Sequence, residues 1–272
     1  MIKIFKMGSI SEEEIFVRGE PVQNVSDIVS GIIADVRENG DAALKAYTEK
    51  FDKVTLDDLA VSSEEMSEAI SCVEDEFINI LREAAENIRH FHEKQVRSSF
   101  IITDKEGVIM GQKVIPLERV GLYVPGGTAA YPSTVLMDAI PAKIAGVEEI
   151  VMVTPPSKDG KVNKYILAAA SVAGVGRIFK VGGAQAIAAL AYGTESIPMV
   201  DKIVGPGNAF VAEAKKQVFG QVNIDMIAGP SEILVVADET ANPKYLAADL
   251  MSQAEHDKLA SPVLVTTSPA LA

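Results

Sequence analysis

Three glycine-bearing loops carry the polar side chains of this sequence that could do chemistry. Each loop follows a short apolar run and precedes an alanine-rich one, and each adjoins a hydrogen-bonding side chain, namely Tyr123, Gln185 or Asn208. Glycine lets the main chain approach a ligand closely, and N–H groups at the start of a helix favour an anion such as phosphate. One such loop would be an ordinary turn, whereas three in one sheet predict a polar crevice the size of a nucleotide.

The loops do not carry the usual dinucleotide fingerprint. After Gly205 and Gly207, the position of the third glycine is occupied by Phe210. No acidic residue stands where that fingerprint places its ribose ligand. A dinucleotide in this crevice would therefore be held by loops of a different design.

A second group of polar residues ends the last helical pattern. Gln253 and His256 are three positions apart, so on a helix they share one face and can point at one centre. Imidazole is a good zinc ligand, but an amide is uncommon in that role, and a zinc site needs about four donors. On residue types alone, a surface histidine that stabilises the helix end is the alternative. Ser231 could bind a substrate, although a cap of its Gly-Pro-Ser turn is favoured.

The remaining reactive side chains are weaker candidates. Cys72 lies among acidic residues that disfavour its thiolate, so it is a poor nucleophile. His90 and His92 are two positions apart and point to different faces of a helix, which makes a shared metal ion unexpected.

The elements that must position these residues change character near residue 119. The first half is predicted to be helical at 24–37, 40–52 and 62–92 and extended at 98–115. From residue 119, strands alternate with helices. The strands are predicted at 119–124, 149–153, 177–181, 202–204, 232–237 and 262–267, and the helices at 132–145, 163–174, 184–192, 208–219 and 243–256. This alternation predicts an α/β fold whose parallel sheet is covered by helices.

Composition limits the function classes. The 272 residues are 48% hydrophobic and 23% charged, which is typical of a globular protein. The net charge of −13 argues against general binding to nucleic acid or to an anionic membrane. No apolar stretch is long enough for a membrane span, and the start of the chain does not resemble a signal peptide. The single cysteine fits a reducing compartment, so we expect a cytoplasmic protein.

Several segments together indicate a family. In chain order they are ERVGLYVPGG (118–127), GGAQA (182–186), VGPGN (204–208), DM (225–226), AGPSE (228–232) and SQAEH (252–256), with FHEKQ (91–95) before them. Their order and spacing closely resemble those of the histidinol dehydrogenases, which perform the last step of histidine biosynthesis. The resemblance spans essentially the whole chain.

The resemblance implies a specific reaction. It is the zinc-dependent, four-electron oxidation of L-histidinol to L-histidine through histidinaldehyde, with two NAD⁺ used in turn. The positions that match the family's motifs imply roles for six residues: Tyr123, Gln185 and Asn208 would contact NAD, Ser231, Gln253 and His256 would contact the substrate, and Gln253 and His256 would also ligate zinc.

The resemblance also implies an architecture. Two incomplete Rossmann-like lobes with parallel sheets flanked by helices follow a helical N-terminal region. The expected divisions are an N-terminal segment at 1–17, a first lobe at 18–118 plus 231–272, and a second, NAD-contacting lobe at 119–230. The family works as a homodimer, and neither a nucleic acid nor a membrane is expected as a partner.

Members of the family continue beyond the position that matches Ala272. The further stretch carries a catalytic Glu-His pair, an Asp and a His that ligate zinc, and another Glu that contacts substrate, so no catalytic residue is assigned here. We therefore expect this chain alone to be inactive. A related dehydrogenase of another small amino alcohol or polyol remains an alternative, as does a non-catalytic nucleotide-binding module. Turnover of histidinol compared with other alcohols would separate these alternatives.

Overall fold

A computed structural model describes residues 3–11, 14, 25–126, 130–227, 232–255 and 260–272. Its helices are α1 (Val25–Asp52), α2 (Ser63–Ser71), α3 (Asp75–His92), α4 (Pro132–Ile144), α5 (Lys164–Ala173), α6 (Gly183–Tyr192), α7 (Ala209–Val218) and α8 (Pro243–Ala254). Its strands are β1 (Phe100–Lys105), β2 (Val108–Gln112), β3 (Arg119–Tyr123), β4 (Glu149–Thr154), β5 (Arg177–Lys180), β6 (Lys202–Val204), β7 (Asn223–Ile224), β8 (Ile233–Ala237) and β9 (Pro262–Thr266).

The strands and helices predicted after residue 119 are confirmed to within about two residues at each end. Two expectations were incomplete. The single helical pattern predicted at 62–92 is two helices, because the N–H of Cys72 bonds back to Ala69 and the chain turns before Asp75. The two-residue strand β7 was not predicted, since so short a segment carries no periodic signal.

Five parallel strands form the main sheet. Their order is β5-β4-β3-β6-β7, so the chain adds β4 and β5 on one side of β3 and then β6 and β7 on the other. The strands are buried apolar runs, as a sheet that is covered on both faces requires. The predicted fold class, α/β with a parallel sheet flanked by helices, is confirmed.

Two apolar clusters fill the two sides of this sheet. Because successive strand residues point to opposite faces, Val151 and Val153 join α1, α6 and α7 in one cluster. Ile150 and Met152 join α3, α4 and α5 in the other. The outer edge of β5 is covered as well, since the N–H of Val61 donates to Ile178 O at 2.9 Å.

The chain divides into two compact units, Val25–Ile227 and Met1–Asn24 with Ala228–Ala272. In the second unit, β8 and β9 pair in parallel and α8 connects them. The helices at 25–92 belong to the unit that contains the five-stranded sheet. The family resemblance implied that 18–118 and 231–272 form one lobe, and these lobe boundaries stay a prediction. Within the described ranges, no helix is both long and apolar enough to cross a membrane.

A kink at Gly40 fits α1 to the loop that follows α6. The predicted stop and restart of the helix is confirmed, because Gly40 has φ 51° and ψ −130°. Glu195 then accepts a hydrogen bond from the N–H of Asp41 at 2.8 Å, and the Asp41 carboxylate accepts one from the hydroxyl of Ser196. This exchange of hydrogen bonds fixes the first helix to the sheet-covering layer.

Gly40→Ala is expected to lower the free energy of unfolding by about 2 kcal/mol or more, because φ is positive there. An added Cβ would also lie 2.3 Å from Oε2 of Glu195. Gly31→Ala is the matched control: it lies in the same helix with open space around it and should stabilise the chain by about 0.5–1 kcal/mol. Urea unfolding of both variants measures the difference, and equal effects would contradict this account of the kink.

Candidate functional site

The order of the strands predicts a crevice at one edge of the main sheet. The chain leaves β3 toward β4 on one side and returns to β6 on the other. At such a reversal the loops after the two neighbouring strands diverge, and open α/β sheets bind their ligands in the gap outside the carboxyl ends. The loop after β6, residues 205–208, borders this gap, as does the start of the loop after Tyr123.

Tyr123 connects the loops that surround the crevice. It ends β3, it is 4% exposed, and its hydroxyl accepts a hydrogen bond from the N–H of Gly183 at 3.1 Å. Its carbonyl oxygen lies so close to Gly205 that a Cβ on that glycine would come within 2.1 Å. Burial raises the pKa of Tyr123 to about 12, opposed by the Gly183 hydrogen bond and assisted by the charge of Asp52. The side chain is therefore a brace between loops.

Two glycines of the crevice are required by packing. An added Cβ on Gly126 would lie 2.7 Å from Pro155, and one on Gly182 would lie 2.6 Å from the same proline. Pro155 follows β4 and so fills the space between the loops after β3 and β5. The absence of side chains at these glycines lets three successive loops close against one another.

Gln185 brings a buried amide to the first turn of α6. It is 1% exposed, and its Oε1 has no hydrogen-bond partner among the described residues. The described chain has four further buried side-chain oxygens of this kind: Thr48 Oγ1, Asp52 Oδ2, Asp138 Oδ2 and Thr154 Oγ1. Buried polar atoms normally have partners, so unpaired ones at a crevice indicate a place for water or a ligand.

Asn208 lies at the exposed start of α7. Its Oδ1 accepts hydrogen bonds from the N–H groups of Phe210 and Val211, both at 3.1 Å, and so caps the helix. An amide also carries two N–H donors on Nδ2, and the cap does not use them. Asn208 can thus stabilise the helix and still donate to a ligand at the crevice.

The sequence analysis did not identify a cluster of charged side chains that lies next to the Gly205 loop. Lys215, on α7, is buried, and its ammonium bonds the carboxylate of Asp225. Burial and the nearby charge of Asp225 raise the pKa of Asp138 to about 7, and Lys215 opposes that rise. The sequence held one signal: Lys215 is four residues after Val211, on the helical face that is otherwise apolar.

The structure describes one of the three predicted zinc and substrate ligands, and it lies in the smaller unit. Gln253 is half-buried on α8, whereas Ser231 and His256 lie outside the described residues. No three His, Cys, Asp or Glu side chains of the described ranges come together as a metal site. One amide does not make a zinc site, so zinc ligation by Gln253 and His256 stays a prediction.

The sheet order defines a doubly wound α/β protein with polar side chains near its switch point. Comparison with known families makes the assignment specific. The histidinol dehydrogenase family model matches residues 17–272, and the chain belongs to this family.

Individual relatives agree with the family assignment. The chain is 59% identical to histidinol dehydrogenase of Clostridium acetobutylicum over 100% of its own length and 64% of the relative's, and 62% identical to that of Geobacillus kaustophilus over 90% and 58%. The crystal structure of histidinol dehydrogenase from Elizabethkingia anophelis matches with a TM-score of 0.87 at 45% identity, over 93% of this chain and 59% of that one. The chain thus spans about 60% of the length of these relatives.

Asp138→Asn is expected to stabilise the chain at alkaline pH. The Asp138 carboxyl has a pKa of about 7 in the folded chain, whereas its ordinary pKa is 3.8. Its contribution to stability is therefore fully present below pH 3.8 and is lost as the pH rises through about 7. At about pH 8 the free energy of unfolding of the variant should be about 1–3 kcal/mol higher than that of the unaltered chain. This difference should shrink as the pH falls below 7.

Urea unfolding across this pH range measures the effect. Asp57→Asn, at an exposed position of the same unit, is the control that should change little. A gain that does not depend on pH would contradict the raised pKa of Asp138.

Proposed function

We propose that the protein oxidises L-histidinol to L-histidine through histidinaldehyde, in histidine biosynthesis, with NAD⁺ as the electron acceptor and zinc in the site. Membership of the histidinol dehydrogenase family across residues 17–272 carries this proposal. The reaction removes four electrons from one carbon as two hydrides, one from the alcohol and one from the hydrate that forms when water adds to the aldehyde. The first step releases one proton, and the second releases two, because the carboxylic acid that it forms ionises.

The crevice of the main sheet is the proposed NAD site. Its features fit a dinucleotide: the start of α6 brings the buried Oε1 of Gln185, which has no hydrogen-bond partner among the described residues, and the start of α7 brings the exposed donors of Asn208. The N–H groups of a helix start favour the negative pyrophosphate. Tyr123, which we also assign to this site, positions the Gly183 loop through its hydroxyl.

The substrate and the zinc ion are assigned to the smaller unit. We propose that Ser231, Gln253 and His256 contact L-histidinol, and that Gln253 and His256 ligate zinc. Zinc, when bound, holds the imidazole and amine of the substrate in place. We further propose that the whole protein is a homodimer of the cytoplasm and that turnover needs the remaining part of the family's length. The family resemblance supports both proposals, and the free, exposed Cys72 fits a reducing compartment.

NAD titration by calorimetry tests the assigned crevice. We expect weak binding, at about millimolar ligand, because the loops lack the dinucleotide fingerprint. Asn208→Asp should weaken binding about tenfold, because it keeps the capping oxygen but replaces the amide donor by a charge that repels phosphate.

Asn242→Asp is the matched control. Asn242 caps α8 in the same way, by accepting from the N–H of Lys244 at 3.0 Å, and its substitution should leave NAD binding unchanged. Absence of any NAD binding at millimolar concentration, or equal losses in both variants, would argue against a nucleotide role for this crevice.

Zinc content tests the second assignment. Two protein ligands leave the coordination incomplete, so this chain should bind zinc loosely, and His256→Asn should abolish that binding. Cys72→Ser should have no effect, because the thiol is free and exposed and is not among the proposed ligands. Zinc retained by His256→Asn, measured by equilibrium dialysis, would mean that the site lies elsewhere.

A further inference from the structure

The buried charge of Lys215 requires an explanation that the proposed reaction does not supply. Its side chain is 2% exposed and lies on α7 among Val211, Ala214 and Val218, all of which are buried. An ammonium is retained in such surroundings only when it is paired and hydrogen-bonded. Its described partners are the carboxylate of Asp225 and the carbonyl oxygen of Gly205, the latter at 3.0 Å.

Asp225 completes a clamp on the same glycine. Its Oδ2 accepts a hydrogen bond from the N–H of Gly205 at 2.8 Å, and its Oδ1 accepts one from Met226 N–H at 2.6 Å as well as from Lys215. The ion pair thus binds both polar main-chain atoms of Gly205. Hydrogen bonds that involve a charged partner are shorter and stronger than neutral ones, so this main chain is held firmly.

Gly205 needs such a clamp because of its conformation. Its φ is 116°, in the region open to glycine, and it lies against the carbonyl oxygen of Tyr123. The next three residues lead directly to Asn208, the cap of α7. The position of Gly205 therefore sets where this loop and the start of α7 stand at the crevice.

Asp138 adds a second carboxyl to the cluster. A Cβ on Gly205 would lie 3.2 Å from Asp138 Oδ2, which is buried and has no hydrogen-bond partner among the described residues. One ammonium and two carboxyls are neutral together only when one carboxyl keeps its proton. Burial and the nearby charge of Asp225 raise the pKa of Asp138 to about 7, so this carboxyl is only partly ionised at neutral pH.

We propose that Lys215 and Asp225 are positioning residues of the nucleotide crevice: their ion pair fixes Gly205 and the loop that leads to Asn208. This inference rests on the proposed NAD site. It assigns a role to residues that are not among the proposed contacts of NAD, substrate or zinc, and it explains why a lysine occupies an apolar helix face.

Two adjacent lysines provide the test. In Lys215→Met, amide hydrogen exchange from Gly205 to Val211 should speed up about tenfold or more, and the Kd for NAD⁺ should rise about tenfold or more, because small displacements of positioning groups are amplified at a binding site. Lys216→Met removes a lysine that is 63% exposed and pairs only with Glu213 among the described side chains, so both quantities should stay unchanged.

Two further variants separate positioning from general stability. Lys215→Arg keeps the charge. Its amide protection and its affinity for NAD⁺ should therefore be much closer to those of the unaltered chain than those of Lys215→Met are. Leu167→Ala, a buried position in the cluster on the opposite face of the sheet, should lower stability without changing the Kd for NAD⁺. If Leu167→Ala and Lys215→Met weaken NAD⁺ binding equally, or if Lys215→Met leaves local exchange unchanged, the positioning role is wrong.

The outcomes also distinguish this inference from the proposed function. If the unaltered chain binds no NAD⁺, the nucleotide assignment fails, and local exchange alone decides whether the clamp holds the loop. If the unaltered chain binds NAD⁺ and Lys215→Met does so equally well, the nucleotide assignment stands and the positioning role is overturned.

Discussion

The main chain of Gly205 packs against the carbonyl oxygen of Tyr123 at the switch point, where β3 and β6 pair. The contact is possible only because Gly205 has no side chain and adopts a positive φ. The Lys215–Asp225 ion pair holds that conformation, and the Tyr123 hydroxyl fixes the Gly183 loop beside it. The geometry of the crevice therefore depends on the close approach of two main-chain segments, at Tyr123 and at Gly205.

The surrounding fold makes this approach rigid. Small residues in α6 let that helix pack closely on the sheet, and α1 covers it from outside, locked at its kink by Glu195. Pro155 fills the space between the loops after β3 and β5. Packing and hydrogen bonding thus leave little freedom at the edge where Gln185 and Asn208 present their amides, which is what precise binding of a flexible dinucleotide requires.

The crevice edge of the main sheet also differs from the rest of the protein in its local charge. The chain is strongly acidic, with a net charge of −13, and a dinucleotide is itself an anion. Near the crevice part of the acidic charge is offset, because Lys215 pairs with the carboxylate of Asp225 and burial raises the pKa of Asp138 to about 7. Together with the helix starts, this local balance favours the anion site that we propose on an otherwise acidic protein.

The sequence by itself determined the α/β class, the helices and strands after residue 119 except β7, the kink at Gly40 and the family, because apolar periodicity, glycine positions and short motifs are local signals. It also singled out Tyr123, Gln185 and Asn208. Only the tertiary structure decided that Tyr123 is a buried brace, that Gly126 and Gly182 are required by Pro155, and that Lys215, Asp138 and Asp225 converge. These three residues lie on α7, on α4 and after β7, and only the folding of the parallel sheet, with its reversal at β3, brings such distant segments into contact.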